Sequence, residues 1–140
     1  MTLKIPDASE ALLLQFMVGD VAPHANWTLR LYTNDYTPVP ASVVGSFTEM
    51  TTQNYAAKTL TNTSWVVTAV DPEAQAAYAE QSFVFDGSGG NTTVYGYYLT
   101  DNTAGALLWA ERFASPQVVP GTLGGTISVT PTITLRTLGE

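Results

Sequence analysis

An all-β, jelly-roll-like antiparallel β-sandwich of about eight strands, preceded by one short helix, is the fold this sequence predicts. Three observations point there. From residue 26 onward apolar residues recur at every second position, as in Trp27, Leu29 and Leu31. Clusters of Gly, Pro, Asn and Asp interrupt these runs about every 8–12 residues, the spacing of sandwiches and barrels. No helical crossover separates the strands, which argues against a parallel α/β sheet.

The elements follow in order. Residues 11–18 are the most apolar stretch near the start, well short of the about 20 residues a bilayer span takes. Lys4 is outweighed by Asp7 and Glu10, which argues against a secretory leader. The spacing predicts an amphipathic helix, with Ser9 as N-cap, Glu10 in the first turn and Gly19 closing the end. Leu12 and Phe16 fall on one face with Gly19, and Leu13 and Met17 lie beside them. That face needs an apolar cover, either the domain's own sheet or a neighbouring subunit. Leu12, Leu13, Phe16 and Met17 are therefore the candidate partner-binding residues. Residues 1–25 read as helix and arm, and residues 26–140 as one β-sandwich domain.

Strands are expected from residue 26 to about 32, over 63–70 ending at Asp71-Pro72, over 78–86, 92–100 and 106–114, and from 126 to about 137. A Thr-rich piece between Phe47 and Tyr55 has weak strand character, and Pro116 and Pro120 bracket a short edge segment. Residues 34–40, 87–91, 101–105 and 121–125 are loops or turns. In the strand over 106–114, Leu107, Trp109, Glu111 and Phe113 should share one face. Pro131 interrupts the last strand and predicts an edge or a bulge there.

Composition narrows the function. The chain has 140 residues, no Cys, one His and a net charge of −7. Without Cys there is no disulfide framework, thiolate zinc site or Cys nucleophile. The acid excess argues against nucleic acid or an anionic membrane as partner, since both need basic patches. Charged residues are 12% of the chain, against about 25% in a typical soluble domain. His24 stands alone in a Pro/Ala-rich connection, and no Gly-x-Ser-x-Gly elbow surrounds a serine, so no triad is expected. Most carboxylates fall in turns, where Asp caps local backbone groups. Glu80 and Glu111 are the exceptions, both on strands; Glu111 lies beside Trp109 and Phe113, where it pairs with an Arg or faces an interface. The loop at 86–91 offers one carboxylate, too few for calcium. Three Asn-x-Ser/Thr matches, at 26, 62 and 91, carry no weight in so Thr-rich a chain. No catalytic residue, metal site or cofactor is expected. The sharpest binding hint is aromatic: Trp65, Tyr95, Tyr97, Tyr98 and Trp109 could stack on a sugar or line an interface. Alternation puts Tyr95 and Tyr97 on one face and Tyr98 on the other; core packing accounts for them equally well.

The strand wording carries a resemblance. LYTNDYTP at 31–38, FTE at 47–49, YAA at 55–57, VYGYYLTD at 94–101, LLWAERF at 107–113 and ISVTPTITL at 127–135 occur in this order. Together they resemble small β-sandwich virion structural proteins of tailed bacteriophages, over nearly the whole chain and without a catalytic motif. The resemblance implies a non-enzymatic capsid decoration or cement protein. It would be assembled in the host cytoplasm, sit on the capsid surface, bind the major capsid protein and itself, and form a homotrimer. The alternative it leaves open is a receptor- or glycan-binding module of a tail or head fibre. The absence of a long repetitive shaft favours decoration.

Overall fold

The structure, a computed structural model, describes residues 6–19, 22, 25–70, 73–102 and 105–136. It is an all-β antiparallel sandwich with one N-terminal helix, as the alternation predicts. Helix α1 spans Asp7–Val18. Nine strands follow among the described residues: β1 Asn26–Tyr32, β2 Lys58–Thr61, β3 Val66–Val70, β4 Glu73–Ala77, β5 Gln81–Phe85, β6 Thr92–Asp101, β7 Leu107–Val119, β8 Gly125–Val129 and β9 Thr132–Arg136.

The strands form a four-stranded sheet in the order β2-β1-β6-β7, a three-stranded sheet β3-β4-β9 and a pair β5-β8. The main core lies on one face of the four-stranded sheet. There Leu29, Leu31, Val94, Tyr97 and Leu99 meet Phe83, Phe85, Ile127 and Val129 from the β5-β8 pair, with Ile133 of β9 packed alongside. The opposite face carries a second cluster, in which Tyr32, Tyr98, Leu107 and Ala110 are covered by Phe47, with Tyr36 and Val44 beside it. These covering residues belong to the long connection after β1, which Asn34 staples. Its amide nitrogen donates to the Ser46 carbonyl at 2.9 Å, and its oxygen accepts the Thr48 N–H at 2.8 Å.

Several sequence expectations are corrected. Ser9 is not the N-cap: Pro6 occupies that position, and the buried Ser9 hydroxyl donates to the Leu107 carbonyl on β7. Gly19 does close the helix, with φ +73 and its N–H donating to the Phe16 carbonyl at 3.3 Å. Residues 62–64 are a 3-10 turn, and β3 begins at Val66. Strand β5 begins at Gln81, not at 78. The piece between Phe47 and Tyr55 holds only an isolated bridge from Glu49 to Tyr32, while the strand lies later, at β2. Strand β4, EAQAA, has low intrinsic strand preference, but β3 and β9 pair with it on both sides and override that. Pro116 lies inside β7 rather than beyond it. The buried Pro131 separates β8 from β9, so the chain changes sheets there. The expected stops at Asp71-Pro72 and Thr137, the middle of the 101–105 turn and His24 lie outside the described residues.

Two register shifts reassign faces. Leu99 faces Trp109 and Thr100 faces Leu107, which leaves Leu108 as an extra residue in a bulge. Leu107 therefore joins Tyr98 and Ala110 on the second face, while Trp109 enters the main core. Val94 faces Gln117 but Gly96 faces Arg112, so residues 113–116 of β7 fall outside the regular pairing. Tyr95 is thereby turned to the face of Tyr98, not of Tyr97.

Gly96 makes this geometry possible. A Cβ there would stand 2.1 Å from the Glu111 carbonyl oxygen and 2.6 Å from the Tyr32 hydroxyl. Gly96→Ala should lower unfolding free energy by about 1–3 kcal/mol or more, the range for overpacking a filled interior. Urea denaturation checks this; an unchanged midpoint would contradict the close approach.

Candidate functional site

The five singled-out aromatics do not form one platform. Trp109 is buried and Trp65 half-buried, and both touch Trp27. The three indoles make a closed triangle with ring centroids 5.4, 5.5 and 5.6 Å apart, and Tyr78 abuts Trp65 at 5.2 Å. Tilted and edge-on contacts of this kind are favourable between aromatic quadrupoles. All three indole N–H groups are buried without a hydrogen-bond partner among the described residues. Tyr97 lies in the main core and donates its hydroxyl to the Glu111 carboxylate. Tyr98 lies on the other face, stacked on Phe47 at 4.9 Å and 15°. Tyr95 is half-buried beneath the Arg112 guanidinium, 5.1 Å from its ring centre. Sequence reasoning missed Trp27 as the third member of the triangle. Its place in the β1 alternation marked it as core, but nothing local showed that it meets Trp65 and Trp109.

The helix residues separate into covered and open. Leu12 packs against the main core, and Leu13 and Phe16 are half-buried. Leu13 borders an apolar cavity of about 280 Å³, together with Val67, Ala76, Leu108, Trp109 and Ile133. Met17 is 82% exposed, and so, to lesser extents, are Val18 at 76% and Leu14 at 60%. The free apolar face is therefore Leu14, Met17 and Val18, of which the spacing argument named only Met17. The helix is apolar nearly all round, so a 3.6-residue period could not select a face.

The polar groups are tied into the scaffold. Glu49 accepts from Arg30 at 2.7 Å and from the Tyr55 hydroxyl at 3.1 Å, and that hydroxyl accepts the Leu31 N–H at 3.1 Å. Arg112 pairs with Asp35 at 2.6 Å and donates to the Tyr36 carbonyl at 3.0 Å. Glu111 takes a tyrosine as partner and not an Arg, one of the two settings expected of it. In the 86–91 loop, Asp86 is occupied by the N–H and hydroxyl of Ser88, which hold its carboxyl below the ordinary carboxylate value. No group of three His, Cys, Asp or Glu suited to a metal occurs among the described residues. No helix among them is long and apolar enough to cross a membrane. No family model matches the chain, and no curated protein matches it.

Burial pushes the Tyr32 and Tyr98 hydroxyls up from 10.0 to about 12. Burial, then the neighbouring Glu49 or Glu111, also raises Tyr55 and Tyr97. Each hydroxyl ionises at higher pH in the fold than in the unfolded chain. Their contribution to stability is thus intact below pH 10.0 and is lost as the pH climbs toward 12. In an alkaline titration, tyrosinate absorbance from these four residues should appear together with loss of the β circular dichroism. Ionisation of all seven tyrosines near pH 10.0 with the fold intact would contradict this.

Proposed function

We propose that the chain is a non-enzymatic virion structural protein of a tailed bacteriophage. In this reading it is a capsid decoration protein that binds the major capsid protein on the assembled shell. The observation that carries the reading is the exposed apolar face Leu14, Met17 and Val18, on a helix anchored through Ser9 and Leu12 to the sandwich. A protein that binds the assembled shell and not free subunits adds its binding free energy to shell stability. An apolar helix face inserted between capsid subunits is a contact of that kind. The strand-by-strand resemblance to phage β-sandwich proteins supports the same assignment, and with it a homotrimer assembled in the host cytoplasm and located on the capsid surface. The Glu49, Glu111 and Arg112 pairings favour a structural over a chemical role for those side chains. The aromatics needed for a glycan platform are divided, with Trp65, Tyr97 and Trp109 at the main core and Tyr95 and Tyr98 in the opposite cluster, which favours decoration over a fibre receptor module.

Cosedimentation with empty shells of the phage that encodes the chain, run beside binding to host cells, tests this. The wild-type protein should pellet with shells and not with cells. Replacing Leu14, Met17 and Val18 by Ser should weaken shell binding by about tenfold or more, as loss of a central apolar contact does, with the β circular dichroism unchanged. Binding to cells but not shells, or full shell binding by the triple variant, would overturn the proposal.

A further inference from the structure

Strand β3 is an edge. The order β3-β4-β9 pairs it on one side only, and no described strand pairs with its other row of backbone N–H and C=O groups. Val66 is 66% exposed and Val67 72% exposed, and Thr68 and Ala69 are exposed as well. Open edges in monomeric proteins are normally blunted by a charge, a proline or a bulge. The segment VVTAV has none of these.

We propose that this edge pairs with the same edge of a second copy of the chain, antiparallel, about a two-fold axis at Thr68. The sequence reads nearly the same in both directions. A two-fold axis at Thr68 sets Val66 opposite Val70, Val67 opposite Ala69, and Thr68 opposite itself. Like apolar pairs and a Thr–Thr pair are favourable cross-strand neighbours. The pairing extends the sheet to β9-β4-β3-β3-β4-β9 and is self-complementary, as a two-fold contact requires.

Charge separates this edge from the other uncharged one that exposes a large apolar side chain. Strand β5 also lacks charges and exposes Val84. Pairing β5 with itself about Phe83 would set Glu80 of one copy against Asp86 of the other at both ends, and would pair Gln81 with Phe85. Like charges placed opposite are destabilising, and copies of a chain with net charge −7 already repel. The same operation at β3 sets no charge against another within the strand, because VVTAV holds none. A five-residue edge buries far less than the about 800 Å² per partner of a stable interface, so the pair is weak and depends on concentration. The contact is independent of shell binding. In a threefold ring built through other faces it would join one ring to the next.

Two measurements on the full chain test it. In light scattering over a concentration series, the wild-type mass should double as concentration rises, from 15.0 kDa for a free chain or from three times that for a ring. Thr68→Lys places a charge on the axis and should raise the dissociation constant by about tenfold or more, with unchanged circular dichroism. The chain has no Cys, so a single introduced thiol reports its own neighbours. Thr68→Cys should form a covalent dimer under mild oxidation, whereas Leu123→Cys, in an 86% exposed turn position, should not. A wild-type mass that does not change with concentration, equal association by Thr68→Lys, or equal cross-linking at Leu123 would overturn the proposal.

Discussion

From Gly96 to Asp101 every residue of β6 is buried, on alternating faces of one sheet. One face meets the β5-β8 pair and Ile133, and the other meets the connection after β1 through Phe47. A sheet covered on both faces cannot leave its polar groups to water, because a buried unpaired group costs about 1–3 kcal/mol. This constraint places Glu49 on Arg30 and Tyr55, Glu111 on Tyr97, and Arg112 on Asp35 and the Tyr36 carbonyl. The ion pairs themselves are partly exposed and contribute at most about 1 kcal/mol each. Their larger effect is to hold the covering connection in register over the aromatic face, where Tyr32, Phe47 and Tyr98 are buried.

The same constraint explains what the sequence made legible. Strands β1 and β6 were readable because their apolar residues are strongly periodic and their ends carry turn residues. Helix α1 was readable from its apolar length and Gly19. Strand β4 was not, since an alanine-rich run has no strand signature and exists because β3 and β9 flank it. The faces of Tyr95 and Leu107 depart from simple alternation for a different reason. Alternation holds only while the register is unbroken, and two bulges in the β6-β7 pairing shift it by residues that no local pattern announces. Ser9 has the residue type of a cap, but its hydroxyl donates instead to a carbonyl 98 residues away.

The candidate site was half legible for a related reason. The helix was singled out as a contact element, and it carries an exposed apolar face. Which residues make that face depends on where β7 and the β3-β4-β9 sheet stand, and that is tertiary information. The tryptophans show the converse. Each is placed by its own strand or turn, yet Trp27, Trp65 and Trp109 form one triangle, so the stacking residues became part of the interior. Two of the surfaces left outside are apolar and uncharged: the helix face of Leu14, Met17 and Val18, and the β3 edge. Both are surfaces suited to protein partners, which joins the scarcity of charge in the sequence to the proposed role in assembly.

Native-state hydrogen exchange on dilute protein tests the central claim most directly, because it ranks segments by the free energy of opening them. If the doubly covered sheet organises the molecule, the amides of β1 and β6, such as Leu31 and Leu99, exchange only through global unfolding. The amides on the open edge of β3 exchange through local opening, orders of magnitude sooner. Exchange of the β6 amides at the rate of the β3 edge would contradict the account.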